Sequence, residues 1–307
     1  MKKIVFLLSL AIAFTSCNNE PLDSDIIIGA EDPFTPTDPG TPSDDLTLAT
    51  YSYNVDAQVP FFGTITTDSD FTFTNGKASA ITTEASFLGT TSTTQTEIVN
   101  NASNQVTDLL SYEGSTLTNE TLIAYDGQNI SQIVYNFIED DTEDYTYTFT
   151  YNANIATRTD ADNGQTTEFE FDGNNNLIRK ETFENGVSLQ KETLSYLPNG
   201  NCASSTMTGE TETTVTYAYD TFTNPLKQGF SNQYLLSLFN DDYDSQAGNI
   251  IAQFHGVNNW IASTTPEGTF EFTVNYIATN RISTKNSFVD LGEGATITQS
   301  EVFNYMN

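Results

Sequence analysis

The sequence predicts an all-β protein, built as an antiparallel meander of repeated β-hairpins whose sheet is curled or partly closed. Three observations predict this fold. The 307 residues include 48 Thr and 30 Asn, which favour strands and turns respectively. Apolar residues alternate with polar ones in many short runs. Turn residues recur at a nearly constant distance along the chain.

The chain begins with a predicted lipoprotein signal peptide, residues 1–16. Two lysines precede an apolar run over residues 4–14, which is too short to span a bilayer as a mature helix. The following segment FTSC resembles the bacterial lipobox, in which the Cys becomes the first mature residue and carries lipid. It departs from the usual pattern at Phe14, where Leu is common. We expect lipidation at Cys17; the alternative is an ordinary signal peptide with a chance cysteine.

Residues 17–45 are predicted to be a tether that starts at the lipidated Cys17. Five of the nine prolines fall here, among acidic and small polar residues. Proline supports an extended polyproline conformation. The acids that soon follow Cys17 resemble the surface-export signals of Bacteroidota lipoproteins. We therefore expect a lipid-anchored outer-membrane protein, on either the cell surface or the periplasmic face.

The charge of the chain limits its partners. It carries 41 acidic residues against 10 Lys and Arg, a formal net charge of −31. Nucleic acids call for basic patches, so we exclude them as partners, and we exclude electrostatic docking on an anionic membrane for the same reason. The 21 Phe and 15 Tyr argue against a disordered chain.

Residues 46–307 are predicted to form one β-hairpin repeat domain. The clearest alternating run is YTYTFTY at residues 145–151. A period of two places all its rings on one side of a strand and its threonines on the other. One buried face and one hydrated face are typical of an antiparallel sheet.

A repeat is visible in the turns. Eight asparagines stand near apolar residues at successive steps of 25, 25, 22, 25, 23, 35 and 21 residues. They are Asn104, Asn129, Asn154, Asn176, Asn201, Asn224, Asn259 and Asn280. A period in the low twenties fits two strands and two turns, and about nine units give on the order of eighteen strands. An open twisted sheet seldom exceeds about ten strands, so this one must curl or close. A plain β-sandwich with accidental spacing is the alternative.

The single long step contains an apolar segment that breaks the alternation. Residues 233–239 read QYLLSLF, which predicts a short helix or an apolar loop against the apolar face of the sheet. The acidic run at residues 240–244 is expected to turn outward to water.

Two segments resemble a known repeat. FDGNNNLI at residues 171–178 and YDGQNI at residues 125–130 resemble the YD (RHS-like) repeat, whose core reads Tyr-Asp-x-x-Gly-Asn-Leu. The likeness covers most of residues 70–307, although several copies lack the Asp, as at Tyr151-Asn152. The resemblance implies a β-hairpin array on a Bacteroidota outer-membrane lipoprotein, and an association with carbohydrate binding or contact with other cells.

The sequence predicts no catalytic residue and no cofactor. His255 is the single histidine, so a Ser-His-Asp triad or a Cys-His dyad would have to use it. We expect it to be an ordinary loop residue. One His and two Cys also exclude multi-histidine zinc sites and cysteine cages. Acidic turns at residues 140–144, 160–164 and 241–244 supply oxygen ligands, yet none follows the EF-hand spacing. We expect solvated turns there, with weak calcium binding as the alternative.

Three residues are candidate ligand contacts. Trp260 is the single Trp, and its ring has the shape to stack on a sugar. Asn258 and Asn259 precede it and have amides that can bond to sugar hydroxyls. The alternative for Trp260 is packing in the protein interior.

These observations favour a non-enzymatic, lipid-anchored envelope protein that binds a partner or serves as a structural surface element. The expected partners are the membrane, through the lipid, and a glycan or another surface protein. The alternative is a hydrolase that acts on polysaccharide through paired carboxylates. Such an enzyme needs a concave site where acids converge.

Overall fold

The computed structural model describes residues 46–61 and 63–306. The predicted signal peptide, Cys17 and the tether lie outside the described residues. The described chain is dominated by nineteen strands. They are β1 Thr47–Val59, β2 Gly63–Thr74, β3 Lys77–Phe87, β4 Thr90–Asn100, β5 Val106–Glu113, β6 Thr116–Asp126, β7 Asn129–Phe137, β8 Tyr145–Asn152, β9 Ile155–Asp160, β10 Thr166–Phe171, β11 Leu177–Glu184, β12 Val187–Tyr196, β13 Cys202–Gly209, β14 Thr213–Thr223, β15 Asn258–Thr265, β16 Gly268–Glu271, β17 Thr273–Tyr276, β18 Ile282–Gly292 and β19 Ala295–Met306.

The strands form one nearly closed, barrel-like antiparallel sheet, which confirms the predicted fold class. Sequential strands pair with each other, and β1 pairs with β19, so the sheet returns to its first strand. One interruption lies at Phe272, between β16 and β17. Before Phe272 the chain forms β16, which pairs with β15. After Phe272 it forms β17, which pairs with β18. The alternating residues from Phe270 to Tyr276 are therefore divided between two strands with different partners.

The two ends of the sheet differ in their connections. In an antiparallel meander, successive connections lie at alternate ends. The asparagine end carries the loops at 101–105, 172–176, 197–201 and 277–281, the start of β1 and the end of β19. The opposite end carries the turns that follow β1, β3, β11 and β18, among others.

The loops at 101–105, 172–176, 197–201 and 277–281 share one geometry, which explains the position of four of the repeat asparagines. In each, the first residue's N–H donates to the carbonyl of the fifth, at 2.8–2.9 Å. The fourth residue is left-handed in every case: Asn104, Asn175, Gly200 and Asn280 have φ of 60, 63, 89 and 61°. Asn and Gly tolerate this region best, so the turn requires them. Four of the eight repeat asparagines lie in these loops: Asn104 and Asn280 at this position, and Asn176 and Asn201 directly after it.

The aromatic face of the sheet points inward, as the alternation predicts. Along β8, Phe149 is buried while Thr148 and Thr150 are exposed to water. The inner face also carries charged side chains, which the alternation did not assign to it.

Several short helical segments lie between β14 and β15. They are α1 Pro225–Gly229, α2 Tyr234–Phe239 and α3 Ala247–Ile250, with a 3-10 turn at Ser231–Gln233 and a π-helical turn at Ile251–His255. A further 3-10 turn lies at Asp141–Glu143. Within the described part of the chain, no helix is long and apolar enough to cross a membrane.

Candidate functional site

Residues 225–255, here called the internal insertion, lie inside the sheet. Asn224 starts the segment: its side chain accepts from the N–H of Leu226, and Pro225 occupies the first helical position. The Phe230 ring packs on Phe71, at 5.4 Å between ring centroids, on β2. The helix α2 Tyr234–Phe239 forms within residues 233–239, where a short helix or an apolar loop was predicted.

The internal insertion also touches the far side of the sheet. The Phe239 ring packs on Phe149 of β8 and Phe169 of β10, with centroids 4.9 and 4.8 Å apart. A segment that contacts β2, β8 and β10 together must lie within a sheet that closes around it. The insertion therefore fills the interior beside these strands.

Five charged side chains from five strands bind the internal insertion. Their exposed fractions are 0–3%, so the charges are removed from water. They are Arg158 on β9, Lys180 on β11, Glu192 on β12, Lys285 on β18 and Glu301 on β19. A buried charge is costly unless it is paired and hydrogen-bonded. These five therefore fix the insertion in one position relative to the wall.

Glu301 and Lys285 form the first contact. Lys285 Nζ lies 3.0 Å from Glu301 Oε1, and Gln253 Nε2 donates to Glu301 Oε2 at 2.8 Å. Tyr51 donates its hydroxyl to Glu301 Oε2 at 2.9 Å. Burial lowers the pKa of Lys285, and the adjacent Glu301 opposes this. The ammonium also lies over the Trp260 ring, 4.8 Å from its centroid.

Glu192 binds the start of α3. Its carboxylate accepts from the backbone N–H of Ala247 at 2.8 Å and of Gly248 at 2.9 Å. Ser205 donates its hydroxyl to the same carboxylate at 2.6 Å. The first N–H groups of a helix have no partner within it, so the carboxylate satisfies donors that would otherwise be lost. Gly248 is closely enclosed: a Cβ there would lie 2.6 Å from the Tyr217 hydroxyl.

Arg158 and Lys180 bind the segment between α2 and α3. Arg158 Nη1 donates to the carbonyls of Phe239 at 2.8 Å and Asp241 at 2.7 Å. Lys180 Nζ donates to the carbonyls of Asp242 at 2.6 Å and Ser245 at 3.0 Å. Burial lowers the pKa of Arg158.

Asp241 corrects the prediction that the acidic run turns outward. Its side chain is buried, because Lys180 draws this turn onto the inner wall, with Lys180 Nζ 3.6 Å from Asp241 Oδ2. Burial raises the pKa of Asp241 to about 6, although Lys180 acts in the opposite direction. The neighbouring Asp242 stays exposed, as expected.

His255 is also differently placed from the predicted loop. It ends the π-helical turn and is buried, with Nε2 3.2 Å from the Ser237 hydroxyl and its ring against Tyr234. Burial and then the nearby Lys227 lower the pKa of His255 to about 3. The imidazole is therefore neutral at ordinary pH, and its surroundings are those of a packing residue.

The candidate ligand contacts lie together at the start of β15, and each is used within the chain. Asn258 Oδ1 accepts from the side chain of Asn201 at 2.9 Å. Asn259 Nδ2 donates to Asp220 Oδ2 at 2.8 Å. Trp260 donates its indole N–H to the carbonyl of Ala262 at 2.7 Å. Ligand contact by these three residues stays a prediction.

A depression on the surface gathers carboxylates. It measures about 570 Å³ and is lined by Glu120, Asn136, Phe137, Ile138, Glu139, Asp140, Asp141 and Asp144. Several of these acids organise the turn itself. Asp144 accepts from the N–H of Phe137 at 2.6 Å, and Asp140 accepts from that of Thr142 at 3.1 Å. Among the described residues, no group of three or more His, Cys, Asp or Glu is arranged to hold a metal ion, and weak calcium binding stays a prediction.

Sequence reasoning missed the five buried charges of the inner wall, although a signal was present. Glu301 stands two residues before Phe303, so the period-two rule places both on one face. Glu192 likewise stands two residues before Leu194, and Arg158 stands two residues after Ala156. A charged residue two positions from an apolar residue of the buried face is therefore the sequence signal for these buried charges.

Comparison with known proteins gives little. No family model matches the chain, and no curated protein is significantly similar to it. A solved porin-like protein from Bacteroides uniformis is 14% identical, with a TM-score of 0.46, over 84% of this chain and 96% of that one. The TcdB2-TccC3-TEV structure is 10% identical, with a TM-score of 0.29, over 80% of this chain and 17% of that one. Both are too dissimilar for their names to bear on the function of this chain.

Proposed function

We propose that the chain is a lipid-anchored envelope protein that acts by binding a glycan or a surface protein, or as a structural surface element. The proposal follows from the lipobox-like segment at Cys17, the Pro-rich tether and the YD-like repeats. Cys17 carries the lipid, and residues 18–45 join Cys17 to the folded sheet.

One structural observation carries the non-enzymatic part of this proposal. The five buried charges of the inner wall each bind the internal insertion, so their bonding capacity serves to hold the interior together. A catalytic group must instead face a substrate. This arrangement supports a rigid body that presents its outer surface.

A glycan array tests the binding role. Purified full-length protein in detergent is labelled and applied to bacterial and algal polysaccharides. Binding that is lost in Trp260→Phe and kept in the Phe222→Leu control supports a glycan contact at the start of β15. Absence of any glycan binding rejects the glycan as partner and leaves the protein partner.

The hydrolase alternative is favoured only by the acidic depression. Its carboxylates converge on one concavity of about 570 Å³, as a glycosidase requires. Release of reducing sugar that Glu120→Gln abolishes, while Asp162→Asn in another acidic turn does not, supports this alternative. No release from any polysaccharide on the array rejects it.

A further inference from the structure

The most exposed apolar side chains of the protein are gathered at one end of the sheet. In the part of the chain that the structure describes, six large hydrophobic side chains are more than half exposed. They are Phe61 at 106%, Leu88 at 64%, Ile138 at 54%, Val187 at 65%, Phe288 at 65% and Leu291 at 61%. Five lie in or beside turns opposite the asparagine end, and Phe288 lies in the second half of β18, which runs towards the same end.

Two of these side chains also sit on strained backbone. Leu88 and Phe61 are left-handed, with φ of 52 and 68°. Bulky residues rarely adopt this region, and at the first turn position that Leu88 occupies, other hairpins have Asn75 and Asn185, with φ of 53 and 52°. Neither exposure nor this conformation stabilises the fold. Residues that persist against both are typical of functional positions.

Three of the turns stand side by side. The strands β18, β19, β1, β2 and β3 pair in that order, and β4 follows β3. Their connections at this end carry Leu291, Phe61 and Leu88. Strands lie about 4.8 Å apart, so neighbouring hairpin tips are spaced by roughly 10 Å. The tips therefore form a row, here called the apolar row, rather than one flat patch.

We propose that the apolar row inserts into the interface of a lipid bilayer with zwitterionic headgroups. The inference rests on the proposed lipid anchor at Cys17, which holds the protein beside a bilayer. Separate protruding apolar side chains can enter the boundary between headgroups and acyl chains, where their exposed surface leaves water. The net charge of −31 repels anionic headgroups, so neutral lipids are the expected surface.

The tether is long enough for this orientation. The described chain starts at the asparagine end, on the side away from the apolar row. A chain of 28 residues, the number from Asn18 to Asp45, can reach at most roughly 90 Å at about 3.1 Å per residue. Strand β1 has 13 residues and measures about 43 Å along its length. The anchor can therefore reach the bilayer while the opposite end faces it.

The test uses the full lipidated protein in phosphatidylcholine vesicles. A polarity-sensitive fluorophore is attached to Leu88→Cys, and in the control to Asn75→Cys, which has the same turn position at the asparagine end. Unmodified protein measures background labelling of the buried Cys202. We expect a blue shift and quenching by brominated lipid for Leu88→Cys alone. Unchanged circular dichroism and melting temperature show that both variants fold.

Three outcomes oppose the inference in distinguishable ways. Protein that floats with the vesicles but shows an unquenched Leu88→Cys label keeps the anchor and overturns the insertion. Protein that does not float overturns both proposals. A label that responds only when envelope proteins are added, and not to lipid, assigns the apolar row to a protein partner and overturns the lipid surface.

Discussion

The hydroxyl of Tyr196 donates a hydrogen bond to the carbonyl oxygen of Leu177 at 2.7 Å. It links the end of β12 to the start of β11 at the asparagine end. The same bond recurs at 2.7–2.9 Å in four other hairpins. The pairs are Tyr125 with Val106, Tyr151 with Ile130, Tyr219 with Cys202, and Tyr305 with Ile282. In these five hairpins the tyrosine hydroxyl therefore links the end of one strand to the start of its neighbour, in addition to the packing of the ring.

Removing one of these hydroxyls should destabilise the protein. Tyr196→Phe leaves the ring in place and removes a donor to a buried carbonyl, at a cost of about 1 kcal/mol in free energy of unfolding. Urea unfolding measures it. Tyr243→Phe is the control, because its hydroxyl bonds to Glu210 at the surface. Equal stability of both variants with the wild type contradicts the role of the bond.

The Lys285–Glu301 pair should be far more sensitive. Lys285→Met leaves the fully buried Glu301 carboxylate without its cation, and such losses cost about 3–5 kcal/mol. The double variant Lys285→Met with Glu301→Gln should recover part of that loss, since no unpaired charge remains. Lys191→Met, from the exposed pair with Glu181, should change stability by less than about 1 kcal/mol. A double variant less stable than Lys285→Met would contradict this account.

The buried carboxyl of Asp241 should make the free energy of unfolding depend on pH. Its pKa is about 6 in the folded protein, and its ordinary value is 3.8. Between these values the folded state holds a proton that the unfolded state has released. Stability from this group is therefore lost as pH rises from about 4 to 6.

The matched variant isolates this effect. Asp241→Asn cannot ionise, so the wild type should lose roughly 2 kcal/mol relative to it between pH 4 and pH 7. Urea unfolding at several pH values gives the two curves, and the exposed Asp162→Asn should follow the wild type. Parallel curves for wild type and Asp241→Asn would show that Asp241 titrates normally.

The lipid anchor has its own test. Cys17→Ala removes the only atom of the lipobox-like segment that can carry the thioether, so the protein should leave the membrane fraction. Ser16→Gly keeps a small residue before the cysteine and should remain membrane-bound. Fractionation followed by immunoblotting measures both. Membrane association unchanged by Cys17→Ala would remove the anchor from the proposal.

The all-β fold was predictable because its signals are local. Alternation along a strand such as β8 and the left-handed turn at Asn175 each depend on a few neighbouring residues. The position of the internal insertion was less predictable. Only the break in alternation over residues 233–239 marked it, and that pattern does not say which strands it contacts.

The buried charges were missed for a related reason. Glu192 and Lys180 are charged residues on strands, which are normally on the hydrated face. Their partners are backbone groups of Gly248 and Ser245, more than fifty residues away. Backbone groups are the same at every residue, so these bonds leave no mark in the sequence. The side chains that assist them, Ser205 for Glu192 and Asp241 for Lys180, are common types on a chain with many polar and acidic residues.

The pairing of β1 with β19 has a consequence for synthesis. Tyr51 and Glu301 are hydrogen-bonded although 250 residues separate them. In a chain emerging from the ribosome or crossing a membrane, β1 can pair with β2 at once, but its other edge stays open until β19 arrives. A chain truncated before β19 would keep two open strand edges, which are templates for aggregation. Premature termination should therefore yield insoluble material rather than a smaller working protein.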